Sequence, residues 1–438
     1  MLTSVVTLLL LLAAGLIAVG LWTLFVRRPS AAVWALIVCV IGTHDIVPPL
    51  ALQITFAGFN VFPLDVVTGV MLAIGVAGLV RQGYPRPLSH ALGVFVALFG
   101  IHLLWGAVEF GLQTAITSSR PWLYLLGPLV YATQATPHWT RASFRPFFAV
   151  ALVLSGYVLL RIAQLGLHGA NTPIEVGGQL IDSRPLVSPA ALFVMQCVLI
   201  AVSARFIRSP LWWVAVVVMS TAVVLVQFRT VWLVAFITLV GLYFRWARRA
   251  IFTNERAALG AASVILLVAP VALVATASSS AFQYSVETTS GQNSTLSWRT
   301  DSWASLLGAH SSTREIALGL PAGTSYEREI DGQILHQSPH SVYVDALLSF
   351  GILGPLVVAW VGILIIRRRR SASTVLEISA AAVVLIVVGE FVFGITTMLG
   401  PMQGLLTGML LQAAFLLGGD DASGQTAVGT SPGGRAAL

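Results

Sequence analysis

The chain has 438 residues, of which 57% are hydrophobic and only 9% are charged. This balance excludes a soluble protein of that size, whose surface would need many more polar side chains. The net charge of +7 is carried by arginine and is spread between apolar runs, so it does not indicate a nucleic-acid partner. The two cysteines fall inside apolar runs, which argues against a disulfide framework and against thiol catalysis.

Apolar runs of about 20 residues, the length of helix that crosses a bilayer, recur along the chain. They predict an all-α, polytopic integral membrane protein with thirteen spans. In order these are Leu2–Val26, Ala31–Leu50, Phe62–Val80, Leu88–Val108, Pro121–Ala135, Pro146–Gly166, Leu186–Ala204, Leu211–Phe228, Val231–Phe244, Ala257–Ala277, Ser341–Ile366, Val375–Glu390 and Pro401–Leu417. The stretch from Thr43 to Phe62 is interrupted by prolines and ionisable side chains, so twelve spans is the alternative.

The arginines between the spans predict the orientation, because positively charged loops face the cytoplasm. Most of them lie at junctions on one side, which we assign to the cytoplasm. The opposite, external side holds a smaller set: Arg120, Arg161, Arg184, Arg229, Arg299, Arg314 and Arg328.

Four regions follow from this arrangement. Residues 1–279 form the N-terminal transmembrane helices, and residues 280–340 form one large external loop. Residues 341–417 return to the membrane as C-terminal helices, and the low-complexity residues 418–438 are expected to be a disordered cytoplasmic tail.

The external loop is the only long polar interval of the chain. A loop of this length is usually functional or disordered, and its tryptophans and regular apolar spacing argue against disorder. Around Arg299, the spacing of Leu296, Trp303 and Leu307 predicts a short amphipathic helix at the membrane interface. Arg299 falls in its first turn, where free N–H groups and the helix dipole favour an anion. A surface charge paired with Asp301 is the alternative.

Two further residues stand out in the apolar background. Arg229 lies at a tight external junction between two spans, either as a snorkelling arginine or as a bidentate phosphate ligand. His340 opens the span after the loop, either as an interfacial anchor or as a general base near neutral pH. The spacing of His336 and His340 would suit a metal pair, but Pro339 between them excludes a regular helix there.

Weaker candidates complete the external set. Arg120 is either another phosphate contact or an interface anchor. Arg161 and Glu390 are ionisable groups near external helix ends, and they either line a cavity or neutralise each other. Arg314 and Arg328, further into the polar loop, are expected to matter less.

The order of these features resembles the O-antigen ligase and O-antigen polymerase superfamily of bacterial envelope glycosyltransferases. The resemblance covers about Leu211 to Leu417. Its matching segments are FRTVWLVAF with Arg229, WRTDSW with Arg299, the turn GLPAG, and PHSVYVDALLSFGILG with His340. Ser341 and Pro321 depart from the family pattern, in which asparagine and glycine are usual.

The resemblance implies a GT-C-like membrane enzyme at the bacterial inner membrane, with its site facing outside. Its donor would be an undecaprenyl-diphosphate-linked glycan, and its acceptor a glycan or glycolipid. Arg229 and Arg299, with Arg120 and Arg161 as further contacts, would bind the diphosphate, and His340 would activate the acceptor hydroxyl. One displacement would invert the anomeric centre and would require neither metal nor cofactor. Membrane lipid and a chain-length regulator are the other expected partners.

Two alternatives stay open at this point. Within the family, a polymerase joins one lipid-linked glycan to another, whereas a ligase transfers the glycan to lipid A-core. Outside the enzyme class, a flippase for lipid-linked oligosaccharides would also need a cationic cavity. The location of the candidates on one face argues against it, because a transporter needs charge near mid-membrane.

Overall fold

A computed structural model describes residues 2–42, 54–56, 59–81, 86–134, 139, 142–169, 174–176, 179–181, 184–204, 210–253, 295–330, 333–335 and 338–416. These residues are mostly helical, which confirms the all-α class of polytopic membrane protein. The predicted span Ala257–Ala277 and the predicted tail at 418–438 lie outside the described residues.

Sixteen helices occur in the described part of the chain. They are α1 Leu2–Arg27, α2 Pro29–Gly42, α3 Pro63–Arg81, α4 Arg86–Phe110, α5 Leu112–Ala132, α6 Phe144–Gly169, α7 Ser188–Ser203, α8 Pro210–Leu225, α9 Arg229–Thr253, α10 Thr295–Ala309, α11 Thr313–Leu318, α12 Val342–Phe350, α13 Leu353–Arg367, α14 Arg369–Leu376, α15 Ala380–Gly394 and α16 Pro401–Leu416.

Three short antiparallel hairpins occupy connections between these helices. Their strands are β1 Ile54–Phe56 with β2 Phe59–Val61, β3 Ile174–Val176 with β4 Gln179–Ile181, and β5 Arg328–Ile330 with β6 Gln333–Leu335. The third hairpin belongs to the predicted external loop. Each pair is isolated, so no strand adds to a larger sheet in the described residues.

Three described helices, α3, α4 and α6, are long and apolar enough to cross a membrane. The pair α14 and α15, bent by 112° at its junction, would make a fourth. Shorter apolar helices accompany them: α2, α7, α8, α13, and the apolar parts of α1 and α9. This set fits a polytopic protein, and the total of twelve or thirteen spans stays a prediction.

Several predicted boundaries were wrong, each for a local reason. The fifth predicted span begins at Pro121, whereas α5 already begins at Leu112 and contains the proline in its interior. The predicted span Ser341–Ile366 is two helices, because Gly351 adopts φ 62° and ends α12. The predicted span from Val375 is likewise broken at Glu377, which is left-handed with φ 56°.

The centre of the helix assembly is α5, which packs against α3, α4 and α16. A second contact matters more for function: α9 packs along α15. The Thr230 and Thr396 hydroxyls lie 2.9 Å apart, joining the start of α9 to the turn after α15. The Ser341 hydroxyl donates to the Gly394 carbonyl over 3.4 Å. The starts of α9 and α12 therefore meet at the end of α15.

Candidate active site

Arg229 and His340 lie next to the two residues whose contacts meet at the end of α15. Arg229 is the first residue of α9 and immediately precedes Thr230. His340 immediately precedes Ser341, the residue that caps the start of α12. Both side chains are half-buried. Sequence separates them widely, but the fold places both beside the C-terminal end of one helix.

Helix α10 brings Arg299 to the same region, because one side of this helix packs against the loop and α12. Arg299, Trp303 and Leu306 recur at helical spacing, and Leu306 is fully buried against Leu320 and Leu348. The Trp303 indole N–H donates to the Pro339 carbonyl over 2.7 Å, next to His340. Arg299, one turn before Trp303, consequently lies within electrostatic range of the imidazole. The sequence predicted a helix here, and α10 forms it; Arg299 is its fifth residue and so lies beyond the predicted first turn, and a position at the membrane interface stays a prediction.

Arg328 fixes α10 from the other side. Its side chain is only 4% exposed, its Nε donates to the Ser302 hydroxyl, and its Nη1 donates to the Tyr326 carbonyl over 2.9 Å. Its charge also acts on His340. We expected Arg328 to matter less than the other arginines, but its burial and these bonds make it part of the site's framework.

The GLPAG turn and the end of α12 hold the loop onto the helices. The Leu320 N–H donates to the Leu348 carbonyl over 2.6 Å, where the backbone of the GLPAG turn crosses the backbone of α12. Gly319 and Gly351 meet at this crossing with φ 78° and 62°, and a Cβ on either would collide with the opposite backbone. The two glycine segments that carried the resemblance are therefore one structural unit, which anchors the loop below α10.

His340 has an unusual backbone and a favourable environment for a base. Its φ of 51° is rare for a residue other than glycine, and such conformations concentrate at functional sites. Burial is the main cause that lowers its pKa below the ordinary 6.5, and the charges of Arg299 and Arg328 lower it further. The imidazole is therefore neutral at pH 7 and can accept a proton.

Three arginines lie within electrostatic range around the start of α9. Arg229 interacts with Arg184 and Arg299, and Arg299 interacts with Arg184. Burial, and secondly Arg184, lower the pKa of Arg299, although arginine stays charged in proteins. Because the helix dipole adds partial positive charge at the start of α9, the arrangement suits a multiply charged anion. We call Arg184, Arg229 and Arg299 the arginine cluster.

Arg184 was not chosen as a site residue from the sequence, although it belonged to the external arginine set. It precedes α7, and its guanidinium stacks on the Phe228 ring at 4.7 Å. Phe228 is the neighbour of Arg229. The available signal was its position among the few external arginines, but proximity to Arg229 depends on how α7 and α9 pack.

Two predicted contacts have other surroundings. Arg120 pairs with Asp65 at 3.0 Å and stacks on Phe62, which is the arrangement of a structural anchor. Asp65 also accepts a 2.6 Å hydrogen bond from Tyr124. Arg161 lies half-buried on α6. Among the described residues, its charge is not one of those that act on Arg229 or Arg299. Their binding of a diphosphate stays a prediction that the geometry does not strengthen.

Glu390 has partners other than Arg161. Its Oε1 accepts from Gln196 over 2.9 Å, and its Oε2 accepts from Thr407 over 2.7 Å. Both carboxylate oxygens of Glu390 are therefore bound by uncharged side chains and not by Arg161, so the predicted mutual neutralisation of Arg161 and Glu390 is wrong. His336 lies outside the described residues.

Fold and site together define a class: a helical, polytopic membrane protein in which a histidine with a lowered pKa lies within electrostatic range of Arg299 and Arg328. Comparison with known families narrows this class. Residues 214–359 match the model of a family described as O-antigen ligase. This match confirms the resemblance to the O-antigen ligase and polymerase superfamily over that part of the chain. It spans Arg229, Arg299 and His340, whereas Arg184 lies before it. No curated protein matches the chain.

Proposed function

We propose that this protein transfers a glycan from an undecaprenyl-diphosphate donor to a sugar hydroxyl at the external face of the bacterial inner membrane. The observation that supports this most is that the chain segments of Arg229 and His340 come together at the end of α15, with Arg299 within electrostatic range of His340. The family match supports a ligase or polymerase, and the cationic site fits a diphosphate-linked substrate.

The proposed reaction is one displacement at the anomeric carbon. The acceptor oxygen forms a bond to that carbon while the bond between carbon and diphosphate oxygen breaks. The acceptor proton passes to the neutral imidazole of His340. The electron pair leaves with the diphosphate, where Arg229 and Arg299 stabilise the added negative charge. Because the diphosphate is already a good leaving group, no general acid is needed, and the anomeric configuration inverts.

The pH profile tests the base. A general base works unprotonated, so we expect transfer to fall as the pH drops through the lowered pKa of His340, with a midpoint below 6.5. Arg299→Gln removes one charge that depresses this pKa, so the acid limb of the remaining activity should move to higher pH. Arg299→Lys, the matched control, keeps the charge and should keep the wild-type midpoint. A Gln variant with an unmoved limb would contradict His340 as the titrating base.

The orientation can be tested with single cysteines. In a variant lacking Cys39 and Cys197, Ser325→Cys in the exposed loop should react with a membrane-impermeant thiol reagent added to intact cells. Thr374→Cys, exposed beside the arginine run of α14, should react only after permeabilisation. Labelling of the Thr374 variant in intact cells would reverse the orientation and exclude an external site.

The acceptor determines whether the protein is a polymerase or a ligase, and we favour polymerase slightly. A deletion strain distinguishes them by its surface-glycan ladder. Loss of polymer with single repeats still attached indicates a polymerase, whereas accumulation of undecaprenyl-linked polymer indicates a ligase. An unchanged ladder would count against both.

A further inference from the structure

A cavity of about 350 Å³ lies where α1, α3 and α5 end. It is far larger than the volume of one water molecule, about 30 Å³, and falls in the range of small-molecule sites. Its walls combine aromatic and polar side chains, among them Trp22, Tyr131, Trp139, Gln134 and Arg81. All of its described lining residues lie before residue 214, where the family match begins.

The cavity lies on the membrane face opposite the candidate active site. At its start, α5 packs against the external loop, because a Cβ on Gly323 would lie 2.9 Å from the Thr114 side chain. The 21 residues of α5 extend about 30 Å, roughly the thickness of a hydrocarbon core, before Tyr131 and Gln134 reach the cavity. Both α1 and α3 also end here in an arginine. Arginine with tryptophan and tyrosine is typical of the depth of lipid head groups.

The side chain of Gln134 carries a hydrogen-bond acceptor that the protein leaves unused at this cavity. Its Nε2 donates to the Gly75 carbonyl over 3.3 Å, which fixes the orientation of the amide, because the reverse orientation would set two oxygens against each other. The Gln134 Oε1 is then buried and has no hydrogen-bond partner among the described residues. A ligand that donates a hydrogen bond to this oxygen would remove the unfavourable burial of a lone acceptor.

Arginines make the same cavity attractive to an anion. Arg81 lines it from the last turn of α3, and Arg27 and Arg28 lie between two further lining residues, Val26 and Pro29. No acidic residue is among its described lining residues. A cation beside an unused acceptor matches a phosphate that carries a neighbouring hydroxyl, which is the chemistry of an anionic phospholipid head group.

We propose that this cavity binds the head group of an anionic, hydroxyl-bearing phospholipid, such as phosphatidylglycerol, in the leaflet opposite the candidate active site. The lipid phosphate accepts hydrogen bonds from Arg81, and a head-group hydroxyl donates to the Gln134 Oε1. The indole and phenol rings of the walls suit the boundary between head group and acyl chain, because each combines an apolar ring with a polar donor. The proposal does not depend on glycan transfer, since it uses none of the residues assigned to that reaction.

The test is native mass spectrometry of the delipidated full chain in detergent, titrated with three lipids that share their acyl chains. Phosphatidylglycerol carries the charge and the hydroxyls, phosphatidylmethanol carries the charge alone, and phosphatidylcholine has neither a net charge nor a head-group donor. We expect phosphatidylglycerol to bind about tenfold more tightly than phosphatidylcholine, and about fivefold more tightly than phosphatidylmethanol, as for one neutral hydrogen bond. Equal binding of phosphatidylglycerol and phosphatidylcholine, or of phosphatidylglycerol and phosphatidylmethanol, would overturn the proposal.

Variants locate the binding at the cavity. Arg81→Gln should remove most of the preference for phosphatidylglycerol over phosphatidylcholine, and Gln134→Met should remove the preference over phosphatidylmethanol. Because Gln134→Met also loses the bond to Gly75, the comparison of the two anionic lipids on the wild-type chain tests the acceptor if this variant fails to fold.

Arg370→Gln is the matched control. Arg370 is also an exposed arginine on the predicted cytoplasmic face, in the run that begins α14, but it does not line the cavity. This variant should keep both wild-type preferences. An Arg81→Gln protein with an unchanged preference, or an equal loss in Arg370→Gln, would show attraction to the basic surface as a whole and would contradict a site in this cavity.

Discussion

Replacing His340 with alanine is expected to lower glycan transfer by about 10²–10⁴-fold, the usual contribution of a positioned general base. Three features of the site lead to this expectation. The imidazole lies within electrostatic range of Arg299, burial keeps it neutral at pH 7, and its φ of 51° occurs where the loop enters α12. Donor binding should survive in the variant, because the arginine cluster is untouched. Turnover and donor affinity, measured on the purified protein, separate the two effects.

His340→Gln distinguishes a base from an anchor. Glutamine keeps hydrogen-bonding ability but accepts no proton at neutral pH, so this variant should be about as inactive as the alanine variant. His310→Ala is the matched control, since His310 is a half-buried loop histidine whose Nδ1 lies 3.4 Å from Glu315. An active His340→Gln enzyme would make His340 an interfacial anchor, leave the arginines as a binding site, and favour the flippase.

The second large effect is expected from Arg229→Lys and Arg299→Lys, each of which should abolish most transfer while the protein still accumulates in the membrane. Lysine keeps the positive charge but loses the planar fork that binds two phosphate oxygens at once. The pair therefore tests geometry more than net charge. The measured quantity is glycan transfer from the purified lipid-linked donor, and the abundance of each variant in the membrane is determined in parallel.

Arg314→Lys serves as the control for these substitutions, because Arg314 is exposed in the loop and outside the arginine cluster. Its activity should be close to that of the wild type. Arg328 is unsuitable as a control, since it is 4% exposed and binds Ser302 of α10. Near-normal transfer by Arg229→Lys or Arg299→Lys would remove that residue from the diphosphate site.

The sequence was sufficient for the class and for most of the helix positions, because apolar length is a strong local signal. Residues 62–80 were predicted as a span, and α3 runs from Pro63 to Arg81. The predicted helix boundaries were wrong where the backbone conformation of a single residue ends a helix, as at Gly351 and Glu377. A positive φ at such residues depends on the neighbours that the chain meets after folding, so hydropathy does not report it.

The candidate site was predictable in part, for a related reason. Arg229, Arg299 and His340 were unusual in their local setting, so each could be identified alone. The approach of the Arg229 and His340 segments at the end of α15 depends on contacts such as Thr230 with Thr396, which neither local pattern nor charge reveals. Arg184 shows the same limit, because stacking on Phe228 joins residues from different helix connections.

The most direct test of the proposed reaction is a single-turnover assay with the purified protein in nanodiscs, which have no second compartment for transport. The reaction contains an undecaprenyl-diphosphate-linked glycan, an acceptor glycan and a metal chelator. We predict that glycan is transferred with inverted anomeric configuration and that one undecaprenyl diphosphate is released for each bond formed. His340→Ala should abolish both signals together. Intact donor after incubation with the wild-type protein, or products formed equally well by the His340→Ala variant, would contradict a glycosyltransfer reaction at this site.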